Sequence, residues 1–86
     1  MIMKYTIKYN YNGQEYEDVY APEAFGLQIS DIADEALFGS LRRNNIQLEN
    51  GYLRNIELFQ EDNILPIYSA VTYTLGMGFI TVPGDE

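Results

Sequence analysis

Asn12-Gly13, set between two runs of alternating side chains, constrains this chain more than any other feature. A type I′ turn needs two consecutive residues at positive φ, which asparagine and glycine tolerate, and its twist matches the strands it joins. Before the turn, across residues 2–11, Met3, Tyr5, Ile7 and Tyr9 alternate with Lys4, Thr6, Lys8 and Asn10. That is the period of a strand with one buried face, and a second strand is expected over 14–20. A two-residue loop sets Tyr9 opposite Tyr16, Lys8 opposite Glu17 and Tyr5 opposite Tyr20, giving aromatic pairs on one face and an ion pair on the other. The same register puts Asp18 opposite Ile7 on the core face, a conflict that a bulge or an early end to the pairing would relieve.

Beyond the hairpin, Pro22 can open a short helical turn through Phe25, closed by Gly26. A clearer helix follows over 31–44, capped by Ser30 or Asp31. Asp31, Asp34 and Glu35 lie in its first turns and Arg42 and Arg43 in its last, a bias that suits the helix dipole. At 100° per residue Ile29, Ala33, Ala36, Leu37 and Leu41 share one apolar stripe, with Ile32 at its margin. Phe38 lies instead with Asp31, Asp34, Glu35 and Arg42, on the side expected to meet water.

Asn44-Asn45 ends the helix, and Asn50-Gly51 marks a second turn across which 46–49 is a candidate to pair. A third strand is expected over 52–60, with Ile56 and Leu58 alternating against Asn55 and Glu57. Pro66 suits a strand start or an edge. From Ile67 onward Val71, Tyr73, Leu75, Met77 and Phe79 share one parity, which makes this fourth strand the best candidate for burial. Gly76 and Gly78 either bend one long strand or turn into a final strand ending near Val82, and 83–86 is expected to be a frayed tail. The whole, 1–86, is one α+β domain: an antiparallel or mixed sheet of four to five strands with one main helix on one face. The order of hairpin, helix and strands resembles that of β-grasp and related ubiquitin-roll domains, a resemblance of topology.

The chain has no histidine and no cysteine. General acid and base work near neutral pH draws most often on histidine, and activated nucleophiles draw on cysteine or on serine paired with histidine. No catalysis is therefore expected, and neither disulfides nor thiolate metal sites can form. A reducing compartment, the cytoplasm, is the expected location. The N-terminus lacks the continuous apolar run of a signal peptide, and the apolar stretch over 70–82 is too short and too interrupted to span a bilayer.

Thirteen carboxylates against five basic residues give a net charge of −8, which repels nucleic acid and anionic lipid. A large ring among charges, Phe38 with Asp31, Asp34, Glu35 and Arg42, has the make-up of a binding hot spot. The bland alternative is that the loop holding Phe25 and Leu27, or a neighbouring strand, folds over it. With Glu15 and Glu17 added from the hairpin, these residues form the expected partner-binding set. The leading expectation is a protein-binding module that presents an acidic, aromatic face to another protein's basic surface. In composition the chain resembles the small acidic inhibitors, such as phage-encoded anti-restriction and anti-CRISPR proteins, that occupy the basic groove of a nucleic-acid-binding enzyme. A second reading is a self-associating subunit, a homodimer pairing through strand edges or the Phe38 face.

A third reading is a small metal-dependent hydrolase built on Asp31, Asp34 and Glu35 at i, i+3 and i+4. The helix dipole explains those three carboxylates without a metal, and no metal or cofactor is expected. Leu75-Gly76-Met77-Gly78-Phe79 holds only a G-x-G, with no following helix and no lysine to reach a phosphate, and reads as sheet geometry.

Overall fold

The structure, a computed structural model, describes residues 4–22, 28–47, 53–61, 63–74 and 78–80. Strands β1 (Tyr5–Tyr11) and β2 (Gln14–Tyr20) precede helix α1 (Ile29–Arg43), and β3 (Leu53–Gln60), β4 (Tyr68–Thr74) and β5 (Gly78–Ile80) follow it. They form one sheet in the order β2-β1-β3-β4-β5, every pair antiparallel. The central pair of a β-grasp is parallel, whereas β1 and β3 are antiparallel here. Because β2 and β3 both run against β1, they run parallel to each other, and α1 is the crossover that joins them over one face of the sheet.

The hairpin has the expected register, with Tyr9 opposite Tyr16, Lys8 opposite Glu17, Tyr5 opposite Tyr20 and Asp18 opposite Ile7. Asn12 and Gly13 both adopt positive φ, at 53° and 89°, and the Gly13 amide donates to Asn10 Oδ1 at 2.8 Å. The Tyr9 and Tyr16 rings stack at 5.4 Å. No bulge relieves Asp18; side chains from the helix answer it instead, as described below.

The helix begins two residues earlier than expected. Gln28 is its N-cap without a side-chain bond, and Ile32 N–H donates to Gln28 O at 3.0 Å. Ser30 and Asp31 lie inside the helix and so cannot take the extended backbone of a cap. At the other end Asn45 sits at φ 57°, with Asn45 N–H bonded to Arg42 O and Ile46 N–H to Leu41 O. This is a Schellman closure, with asparagine where glycine is commonest.

The core joins Ile32, Ala33, Ala36, Leu37 and Leu41 of the helix to Tyr5, Ile7 and Tyr9 of β1 and Leu53, Ile56 and Leu58 of β3. Ile32 is thus inside, while Ile29, in the first helical turn, stays 45% exposed. The centre of the sheet falls on β1 and β3, not on the fourth strand: in β4 only Ala70 is buried, and Val71 is 38% exposed.

A bulge in β3 lets both ends of that strand feed the core. Between Lys8 opposite Glu57 and Asn10 opposite Arg54, the single residue Tyr9 faces both Asn55 and Ile56. Asn55 takes φ 52°, and the extra residue shifts the parity so that Leu53, Ile56 and Leu58 all point inward.

Pairing of Thr74 with Gly78 shows that β4 turns back into β5, with Gly78 at φ 76°. The expected turn at 22–25, apart from Pro22, lies outside the described residues, as do pairing across Asn50-Gly51, the end near Val82 and the tail 83–86. Among the described residues no helix is long and apolar enough to cross a membrane.

Candidate functional site

Where the first half of α1 passes the β4–β5 hairpin, rings and carboxylates meet. Tyr73 and Phe79 are cross-strand partners, with ring centroids 4.9 Å apart at 73°. Tyr68 meets Phe79 at 5.3 Å and 77°, and Phe38 of the helix meets Tyr73 at 5.3 Å and 84°. These are edge-to-face contacts, in which the positive edge of one ring meets the negative face of the next. Phe38 is therefore half-buried rather than pointed into water. A helical wheel places it far from the core stripe, but a long side chain leans back over the preceding turn and reaches a ring at the sheet's flank.

Asp34 comes down beside the same rings. It hydrogen-bonds with Tyr73, while its Oδ1 is buried and has no partner among the described residues. Its carboxyl is pushed above the ordinary value first by burial, then by repulsion from Asp31 and Glu35, against the smaller opposing effect of the Tyr73 bond. The Tyr68 and Tyr73 phenols are pushed up as well, first by burial and then by the charge of Asp34. A hollow of about 190 Å³ opens here, lined by Ser30, Asp31, Asp34, Tyr73, Gly78 and Phe79. Among the described residues no lysine or arginine lines it. Carboxylates and ring faces attract the same kind of guest, a cation with an apolar stem.

The other expected site residues lie elsewhere. Glu35 sits on the opposite flank of the helix and accepts from the Tyr20 hydroxyl. Burial, and then that bond and the charge of Glu35, push the Tyr20 phenol up to about 12. Arg42 is exposed near the helix C-terminus. Glu15 and Glu17 pair with Asn10 and Lys8 and lie on the face of the sheet away from the helix. The structure thus gathers Asp31, Asp34 and Phe38 and separates them from Glu35, Arg42, Glu15 and Glu17.

Sequence reasoning missed the rings that complete this site, Tyr73, Phe79 and Tyr68. The signal was present in the shared parity of Tyr73 and Phe79, once the glycines are read as a turn.

A second polar cluster forms near the other end of the helix. Ser40, fully buried, bonds the Tyr9 hydroxyl at 2.7 Å and donates to Asp18 Oδ2. Arg43 reaches Asp18 Oδ1 at 3.4 Å, and Asn44 Nδ2 lies 3.4 Å from Oδ2. Burial is the main reason that the Tyr9 phenol is held above its usual value. A serine hydroxyl beside a carboxylate suggests a nucleophile, but Ser40 has no exposed surface for a substrate to reach. This cluster fastens the helix to the hairpin.

Among the described residues no group of three or more histidine, cysteine, aspartate or glutamate side chains is placed to hold a metal ion. Glu35 turns to Tyr20 and Asp34 to Tyr73, on different flanks of the helix. No protein-family model, curated protein or solved structure matches the chain.

Proposed function

We propose that this chain is a protein-binding module whose hollow between α1 and the β4–β5 hairpin takes a basic surface of another protein. The supporting observation is the pairing of Asp31 and Asp34 with the rings of Tyr73 and Phe79 around a hollow that, among the described residues, no basic side chain lines. Asp34 is held in a setting that disfavours its charge. A lysine or arginine from a partner would relieve that penalty while its stem covers the rings. Each cation–ring contact is worth about 0.5–1 kcal/mol at an exposed site and about 2 when water is excluded.

The net charge of −8 draws a basic partner in from a distance and turns nucleic acid away. A surface of this kind suits a stoichiometric inhibitor or adaptor that sits on the basic groove of a nucleic-acid-binding enzyme, as phage anti-defence proteins do. In this reading the module works by occupying a surface and carries out no turnover of its own.

Titration of the isotope-labelled chain with lysine-rich and arginine-rich peptides tests the reading. The amide signals of Asp31, Asp34, Gly78 and Phe79 are expected to move, and binding should weaken by about tenfold or more between low and high salt. Joint replacement Asp31→Asn and Asp34→Asn should abolish those shifts. Shifts confined to other surfaces, or binding indifferent to salt, would end the proposal.

A further inference from the structure

The two edges of the sheet are unlike. At one end β5 is three residues long, whereas at the other β2 runs for seven and pairs with β1 at every position, with no bulge and no proline. Short length, bulges and prolines are what usually keep an outer strand from pairing with further chain. β2 has none of them, and no described strand covers its outer side.

The hairpin decides which backbone groups face outward. Asn12 and Gly13 form a two-residue turn at positive φ, so Tyr11 and Gln14 exchange hydrogen bonds, and bonded pairs recur at every second residue of the ladder. Gln14, Tyr16, Asp18 and Tyr20 therefore direct their N–H and C=O groups to β1. Glu15, Glu17 and Val19 turn theirs to the open side, where no described backbone group answers them.

The same three residues carry exposed side chains on the face away from the helix, Val19 at 58%. Among the described residues no ion pair engages Glu15 or Glu17. Lys8 stands across from Glu17, but its Nζ lies 5.0 Å from the centroid of the Phe59 ring, on the β3 side of β1 and away from the open edge. At alternate positions the edge therefore offers carboxylate, carboxylate and aliphatic side chains.

We infer that the outer edge of β2 is a strand-addition site for an extended basic segment of another protein. Laid antiparallel, such a segment exchanges about six main-chain hydrogen bonds with Glu15, Glu17 and Val19. Residues directly opposite share a face, so the segment carries an aliphatic side chain across from Val19 and a basic one across from each glutamate. A second copy of this chain does not fit, because two β2 strands in full antiparallel overlap set Glu17 against Glu17, and like charges directly opposite destabilise a ladder. This site lies at the opposite edge of the sheet from the hollow beside β5, and either proposal can fail without the other.

Amide hydrogen exchange of the full chain, with and without a short peptide bearing valine, lysine and lysine at alternate positions and threonine between, tests the inference. Binding is expected with a Kd below about 1 mM. The amides of Glu15, Glu17 and Val19 should gain at least tenfold protection, while those of Tyr16, Asp18 and Tyr20, already bonded to β1, change little. N-methylation of the peptide at its valine and lysines should weaken binding at least tenfold, and at its threonines, whose N–H groups point away, less than about threefold. Joint replacement Glu15→Lys and Glu17→Lys, at exposed positions, should abolish binding of this peptide and admit one with glutamates in place of its lysines. Equal loss from both methylation patterns, or full binding by the doubly replaced chain, overturns the inference. Protection confined to Asp34 and Phe79 overturns it while leaving the hollow's reading intact, and protection of the β2 amides in the chain alone at rising concentration replaces it with self-pairing.

Discussion

Each flank of the helix brings one aspartate between helix and sheet, and the two meet opposite conditions. Asp18 rises from β2 into the donors of Ser40 and Asn44 with Arg43 beside it. Asp34 descends from α1 into a group of rings, keeps one bond to Tyr73, and has acidic neighbours in Asp31 and Glu35. Both sit at a helix–sheet junction in the same small domain. The difference shows that burial alone does not decide the role of a carboxylate; the donors that surround it do. Where donors are plentiful the group fastens two elements together. Where they are scarce, one carboxylate oxygen is buried without a partner among the described residues.

Breaking the well-supplied flank should produce the largest effect. Ser40→Ala removes a hydroxyl that serves both Tyr9 and Asp18, leaving a buried phenol without this partner and an acceptor short of one donor. The expected loss is about 2–3 kcal/mol of stability, read as a lower urea midpoint with unchanged slope. A loss below about 0.5 kcal/mol would mean that the cluster only decorates a junction held by its apolar contacts.

The same contrast explains what was readable from sequence. Asp18 could be placed on the core face because a two-residue turn dictates register, and register dictates facing. Its partner could not be found this way, since Ser40 lies in another element and the angle of the helix over the sheet is set by packing. Asp34 and Phe38 could be assigned to one helix face, but a wheel carries no information about how wide the sheet beneath is. Phe38 therefore read as wet, although Tyr73 stands beside it. The Asn55 bulge was hidden for a related reason: residues 52–60 alternate well enough by eye, and only pairing with β1 reveals that Tyr9 faces two residues. Local chemistry was legible wherever the backbone carried it, and illegible where two elements had to meet.

The ill-supplied flank should respond in the opposite direction and by less. Asp34→Asn keeps an acceptor for Tyr73 and removes the charge that burial penalises, so stability near neutral pH should rise by roughly 0.5–1 kcal/mol. The pH dependence has a definite sign. The folded-state value of Asp34 is raised above the ordinary 3.8, so the folded chain holds this proton more tightly than the unfolded chain. Its contribution to stability is complete below 3.8 and disappears as pH rises through the raised value. Urea midpoints measured across this window should show that component in the wild type and lack it in Asp34→Asn. A variant less stable than wild type at neutral pH would place Asp34 among the fastening groups and erase the contrast between the flanks.

The smallest effect belongs to Arg43, and it sharpens the comparison by asking which donor supplies Asp18. The Arg43 side chain is 55% exposed and that of Asp18 27%, with 3.4 Å between the charged atoms. A pair so open to water gains little, because solvent screens the attraction and a long side chain loses rotamer freedom to hold it. Arg43→Gln should therefore cost about 0.2–0.5 kcal/mol, and less still in high salt. The buried Ser40 hydroxyl acts at shorter range and away from water, so its removal should outweigh that of the full positive charge several-fold. If Arg43→Gln instead equals Ser40→Ala, Asp18 is satisfied by charge balance rather than by hydrogen bonds. The flanks would then differ in the presence of one arginine, and placing an arginine beside Asp34 should turn the ill-supplied flank into a second fastening.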